Sequence, residues 1–291
     1  MIAAGRPPKI RPRESPRMYQ VNALKERFRT GGQAYGAWLN ACSPIVAELM
    51  AHAGYDCLMI DREHSPGDLL NAVNLMNAIR TTPTTALMRV PDGNPAELKR
   101  ILDSGIEGVM FPAVSSAAEA RAIVAACRYP PRGFRGYAAG VSRAADYGFK
   151  TELYKRTATE NFLLICQIET AAGAAAVEEI AEVEGIDMLF IGPNDLAGSL
   201  GHFGGVDHPV VADCIKRVAK AIKRSGKWLG SVPTPARSPA QLFDLGYDLV
   251  LGPADLSLLQ AAAAADAAAH RWVPKSARAR PGQARRRTKN G

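Results

Sequence analysis

The sequence predicts an α/β fold, a single (β/α)8 barrel of the TIM type, on three observations. Short, near-continuous apolar runs alternate with amphipathic or Ala-rich stretches between residues 34 and 259. Such runs suit strands buried on both faces, as in parallel sheets. Helix start and stop signals bracket the stretches between them. The open doubly wound alternative lacks its usual mark, since no GxGxxG follows the first strand.

The elements follow in order. Residues 18–30 read as a short helix placed to plug the barrel floor. Strands are expected at 34–40, 56–61, 85–90, 107–112, 162–169, 186–192, 227–232 and 248–252. Ser43-Pro44, Asn94-Pro95 and His208-Pro209 open helices, with Pro near the first helical position. Gly54, Gly105, Gly185 and Gly226 stand where helices should stop. The longest interruption, 128–160, is rich in Gly, Arg and Tyr, and segments of that kind in compact domains are commonly functional or disordered. The last helix, 254–270, is nearly all Ala and Leu, so it is expected to pack against something such as a neighbouring subunit.

Charge divides the chain into three parts. The net charge of +8 hides a gradient: residues 1–30 carry +6 and residues 271–291 carry +8, so the body between them carries −6. The domain reading is therefore a disordered basic extension at 1–17, a barrel at 18–270 and a disordered basic tail at 271–291. The tails can touch anionic surfaces without specificity, but the acidic body is no nucleic-acid-binding surface. Cys42, Cys57, Cys127, Cys166 and Cys214 are scattered singly, without a CxxC pair, so neither a disulfide framework nor a zinc cluster is indicated. The apolar runs fall far short of the roughly 20 residues a membrane span needs. Met1–Thr30 lacks the apolar stretch of a signal peptide, so a cytoplasmic location is expected.

In a barrel of this kind, ionisable residues at the C-terminal ends of strands mark the active face. The second strand ends in Asp61-Arg62-Glu63-His64, the third around Arg89, the fifth in Gln167-Ile168-Glu169, and the sixth runs into Gly192-Pro193-Asn194-Asp195. Strand alternation puts Gln167 and Glu169 on one face. Glu169 and Asp195, on neighbouring strand ends, offer two oxygen ligands to a hard divalent cation; either one alone reads rather as a helix cap or an ion-pair partner, and it is the two together that favour the metal. His64 is a candidate base near neutral pH, or a hydrogen-bonded loop histidine. Arg89 closes an apolar strand and must face a carboxylate, the protein's own or a ligand's.

The segments GAWLN–ACSP, LMIDREHSP, MRVPDGNPAELKRILDSGIEGVMFPAV, RYPPRGFRG, CQIET and FIGPNDLAGSLG resemble the HpcH/HpaI aldolases, metal-dependent pyruvate aldolases related to citrate lyase β subunits. The resemblance covers about residues 18–265 and is specific in order and spacing. It implies a (β/α)8 barrel, a hexamer with exchanged C-terminal helices (a trimer being the smaller assembly), and Mg2+, Mn2+ or Co2+ as cofactor. Residue by residue, it implies Glu169 and Asp195 as metal ligands, His64 as catalytic base and Arg89 as transition-state stabiliser. Gln167 and the position of Asn194 match substrate contacts, with Asp195 beside them, and Asp61 matches the carboxylate near the histidine. Asp103 matches a residue that raises the histidine's basicity; it lies at a helix end on the far face of a single barrel, so that role is expected only across a subunit contact.

The chain departs from the family at three positions. Arg62 replaces a common glycine, and either pairs with an acidic neighbour or binds a distal anionic group of the substrate. Asn194 replaces a common alanine. Ala113 stands where relatives of the macrophomate synthase type carry histidine.

The expected reaction is reversible cleavage of a 4-hydroxy-2-oxo acid to pyruvate and an aldehyde, with the metal as Lewis acid. The lysines lie away from the strand ends, which argues against an imine. Oxaloacetate decarboxylation and carbon–carbon bond formation of the macrophomate-synthase type use the same site. A non-catalytic barrel binding an anionic partner would be favoured by loss of a metal carboxylate or of His64, and none is lost.

Overall fold

A computed structural model describes Tyr19 and residues 21–270. The two basic tails, 1–17 and 271–291, lie outside the described residues. Eight parallel strands close in sequence order: β1 (Ala34–Leu39), β2 (Cys57–Asp61), β3 (Thr85–Arg89), β4 (Gly108–Phe111), β5 (Leu163–Ile168), β6 (Met188–Ile191), β7 (Trp228–Ser231) and β8 (Leu249–Ala254). Each observed strand falls on an expected run, with ends shifted by one or two residues.

Alternation along the strands splits the core in two. Cys57, Met59, Leu87, Met110, Leu163, Ile165, Met188, Phe190, Leu249 and Leu251 fill the barrel interior. Leu58, Ile60, Met88, Val109, Phe111, Leu164, Ile168, Leu189 and Ile191 face outward into the helix layer. Residues on every strand are therefore apolar on both sides, which is why the runs read as continuous.

The N-terminal helix is α1 (Ala23–Arg29), capped by the Asn22 side chain, which accepts from the Lys25 amide at 2.9 Å. Its Leu24 and Phe28 belong to the interior core, so it plugs the floor as the sequence suggests. Burying each of these side chains is worth roughly 1.5–3 kcal/mol. Lys25 is buried with them; its Nζ donates to the Phe162 carbonyl at 2.9 Å and pairs with Asp187 at 2.7 Å.

Pro44, Pro95 and Pro209 are the first residues of α2 (Pro44–His52), α4 (Pro95–Asp103) and α10 (Pro209–Arg224), and the chain also forms α3 (Leu69–Ile79), α5 (Ala117–Cys127), α7 (Ala171–Ala175), α8 (Val177–Ala181) and α11 (Pro239–Asp244). Gly54, Gly105, Gly185 and Gly226 all have positive φ, the conformation that lets a chain leave a helix. The interruption at 128–160 is ordered. It contains a 3-10 turn, Arg143–Gly148, and a helix, α6 (Thr151–Asn161), that apolar periodicity did not reveal. Arg135 holds it to the floor side: Nη2 donates to Asp103 at 2.8 Å and to the Tyr154 hydroxyl at 2.9 Å.

The chain divides into two compact units, the barrel through Asp255 and a second beginning at Leu256. The second contains α12 (Asp255–His270) beyond its first residue, on which Leu256, Leu258 and Leu259 are exposed. Among the described residues no helix is long and apolar enough to cross a membrane.

Candidate active site

The active rim starts from one cross-strand pair. Asp61 and Arg89 are in register at the ends of β2 and β3. Arg89 grips the carboxylate with two parallel hydrogen bonds, Nε to Oδ1 at 3.0 Å and Nη2 to Oδ2 at 2.7 Å. Oδ1 also accepts from the backbone N–H groups of Glu63 (3.1 Å) and His64 (3.4 Å), and Oδ2 from Asn40 Nδ2 (2.8 Å). Burial pushes the Asp61 carboxyl up, but the hydrogen bonds and charge of Arg89 outweigh it, so the group lies below its ordinary range. Asp61 thus shapes the loop that carries His64 through the backbone; among the described contacts none joins it to the imidazole.

Arg89 also lies 4.5 Å over the Trp38 ring, and its Nη1 stands 3.1 Å from Glu63 Oε2. That second ion pair lacks hydrogen-bond alignment, for Glu63 Oε2 is buried without a hydrogen-bond partner. Burial raises the Glu63 carboxyl, with Arg89 and His64 opposing and Asp61 and Asp195 adding to the rise. The His64 side chain is 64% exposed, with Nε2 3.7 Å from Glu63 Oε2. It is open to a ligand.

Across the lumen, Glu169 follows β5 and is buried. Its Oε1 accepts from the Ala113 N–H at 2.8 Å, and its Oε2 accepts from the Gln167 amide. Ala113 has φ of 52°, a left-handed conformation unusual for alanine. Burial, then the negative charges of Asp195 and Glu63, raise the Glu169 carboxyl to about 7, against the Ala113 N–H and Arg89. Gln167 Oε1 is buried without a partner. Gly192 makes this packing possible: a Cβ there would lie 2.5 Å from Glu169 Oε2 and 2.7 Å from Gln167 Nε2. Asp195 and Asn194 sit exposed in the first turn of α9 (Pro193–Ser199).

The donor set suits a cation of the magnesium type. Among the described residues, no three His, Cys, Asp or Glu side chains form a ready-made cage. Two carboxylates with neighbouring amide oxygen and open positions match the habit of hard cations that keep water and substrate oxygens. A bound dication would offset both the burial of the Glu169 charge and the repulsion of Asp195 and Glu63 that adds to its rise.

Two candidates do not join the rim. Cys57, Met59 and Asp61 face inward, so Arg62 follows Leu58 and Ile60 toward the helix layer. There its Nη1 pairs with Glu97 of α4 at 3.0 Å. This is the arrangement expected of the ion-pair alternative. Asp103 ends α4 at the floor, paired with Arg135, and reaches no rim residue of its own chain. The sequence reading also missed Glu63, Asn40 and Trp38. Their signal was positional, for each stands at or just past an inward-facing strand end.

This constellation belongs to a class that comparison identifies. Residues 34–262 match the HpcH/HpaI aldolase/citrate lyase family, and the chain is a member of it. The chain is 37% identical over 239 residues to a hydroxypyruvate/pyruvate aldolase of Pseudomonas aeruginosa, covering 82% of this chain and 89% of that protein. Identity to a protein of the same description from Paraburkholderia phytofirmans is 39% over 242 residues, covering 81% and 92%. The crystal structure of a HpcH/HpaI aldolase/citrate lyase family protein from Burkholderia cenocepacia superposes with a TM-score of 0.82 at 38% identity, over 86% of this chain and all of the other.

Proposed function

We propose that this protein is a divalent-metal-dependent carbon–carbon lyase that reversibly cleaves a 4-hydroxy-2-oxo acid to pyruvate and an aldehyde. One observation carries the reading: the carboxylates Asp61, Glu63, Glu169 and Asp195 converge on the rim around Arg89, and burial, with the added repulsion of Asp195 and Glu63, pushes Glu169 to about 7. Such accumulated charge is costly in a scaffold and useful in a site. The names of the relatives add hydroxypyruvate to pyruvate as the 2-oxo-acid half, and both are within the proposed substrate class.

Glu169 and Asp195 would hold Mg2+, Mn2+ or Co2+, which when bound supplies a Lewis acid for the oxygen of the developing enolate. The chain's own residues do the rest. Gln167 and Gly192 fix the Glu169 carboxylate, and the exposed amide of Asn194 is placed to meet the substrate. Arg89, locked by Asp61 and braced on Trp38, sets a permanent positive charge where the 2-oxo acid binds. His64 takes the proton of the C4 hydroxyl on cleavage and returns it on condensation. Asp61 supports that step by holding the backbone of residues 63 and 64.

We further read the protein as a cytoplasmic homo-oligomer, trimer or hexamer, in which α12 is exchanged between copies. Its exposed leucines support this, as does the position of Asp103, whose expected role needs a second copy.

The test is pyruvate release from a panel of 4-hydroxy-2-oxo acids and from oxaloacetate, with and without EDTA. Turnover of the aldol adducts that stops on chelation and returns with Mg2+ or Mn2+ is expected. Full turnover after exhaustive chelation, or covalent trapping of pyruvate by borohydride, would overturn the metal mechanism.

A further inference from the structure

Asp255 is a buried carboxylate that the proposed chemistry does not use. It ends the barrel unit. Its Oδ1 accepts from the Asn40 N–H at 2.9 Å, and its Oδ2 accepts from the Ala41 N–H at 3.0 Å. These two amides need a partner because the sheet has run out beside them. The β1–β8 ladder shifts register between Gly36 and Trp38, and Trp38 pairs with Ala254. Asp255 comes next, and its carboxylate continues the hydrogen bonding that another strand residue would have supplied.

The consequence lies one residue further inward. The Asn40 backbone is clasped by Asp255, and the Asn40 side chain donates to Asp61 Oδ2 at 2.8 Å. Arg89 Nη2 reaches that same oxygen at 2.7 Å. Two residues before Asn40, Trp38 lies against the Arg89 guanidinium. One carboxylate therefore sets both groups that flank the Asp61–Arg89 pair, the amide beside it and the indole against it. We propose that Asp255 is a positioning residue for this pair, acting through Asn40. The inference rests on the aldolase reading of the rim, where Arg89 must be aimed and not merely present.

The test uses the full-length protein and two readouts. Asp255→Ala and Asn40→Ala should each lower kcat for retro-aldol cleavage about tenfold, the scale seen when supporting hydrogen bonds to a site are removed. KM should change less than about twofold, because substrate contacts are kept. The double variant should be no worse than either single one, since both break the same chain of contacts. Asp255→Glu, which keeps the carboxylate, should recover part of kcat. The second readout is the emission of Trp38 with Trp228 and Trp272 replaced by Phe; it should shift in both alanine variants as the guanidinium loosens.

A folded Asp255→Ala protein with lowered Tm but unchanged kcat and Trp38 emission would overturn the proposal, as would additive losses in the double variant. If Asp255→Ala fails to fold, Asn40→Ala alone decides: unchanged kcat and emission there overturn it. If the wild-type protein cleaves no 2-oxo-acid adduct, the aldolase reading falls. The Trp38 emission of the two variants then decides the positioning role by itself.

Discussion

The two ends of the barrel treat charge in opposite ways. At the floor, three ion pairs hold the plug and its surroundings: Lys25 with Asp187 at 2.7 Å, Arg27 with Asp56 at 2.5 Å, and Arg135 with Asp103 at 2.8 Å. At the rim, Asp61, Glu63, Glu169 and Asp195 crowd around Arg89, and burial together with the repulsion between carboxylates raises Glu63 and Glu169. The same sheet supports both ends. Matched charge holds a plug in place, whereas surplus charge of one sign stores the tendency to bind a cation. The floor is built for stability and the rim for chemistry.

The largest effect should come from relieving the surplus. Glu169→Gln is expected to lower pyruvate release about 10³-fold, the scale of losing a principal charge stabiliser, without lowering Tm. It should also change the pH dependence of stability. In the metal-stripped protein the Glu169 carboxyl titrates near 7 instead of its ordinary 4.5, so the folded state keeps a proton the unfolded state has lost. This contribution makes stability fall as pH rises from about 4.5 to 7, by up to about 3 kcal/mol. Urea titrations of the chelated protein across that range should find the fall in wild type and its loss in Glu169→Gln. An equal slope in both would place the surplus charge elsewhere.

The matched end should behave in the reverse manner. Lys25→Met leaves Asp187 without its partner and is expected to cost about 3 kcal/mol of stability. Turnover per folded molecule should not change. A fall in kcat with Tm preserved would break the division of labour between floor and rim.

The smallest effect is expected at Arg62, which stands near the rim but is paired in the helix layer. Arg62→Gly should cost about 1 kcal/mol of stability. KM for adducts of acid semialdehydes and of simple aldehydes should remain alike. A selective rise for the acidic adducts would return Arg62 to the substrate pocket and extend the rim beyond the lumen.

Most of the architecture was legible because the strands are buried on both faces. Runs such as Leu163–Ile168 admit no polar outer residue, and prolines 44, 95 and 209 mark helix starts by removing an N–H that has no use there. Helix α6 was not legible, because its polar sequence TELYKRTATEN buries only Tyr154 and Ala158. At the site, alternation identified Gln167 and Glu169, and the same rule applied from Cys57 would have turned Arg62 outward. Carried one residue further past the end of β2, the rule turns Glu63 inward. Asp255 could not be read at all. Its role depends on a register shift between the first and last strands, which no local pattern records.

The floor plug has a consequence for how the protein is made. Helix α1 is among the first parts of the described chain to be synthesised, yet Phe28 packs against Trp228 of β7 and Lys25 pairs with Asp187 at the entrance to β6. Neither partner exists until most of the chain has left the ribosome. At ordinary synthesis rates the apolar face of Leu24 and Phe28 therefore waits on the order of 10 s or more for its site. The barrel cannot be sealed in stages from its N-terminus. Its earliest helix serves as its last closure, and that wait is when the nascent chain is most exposed to aggregation.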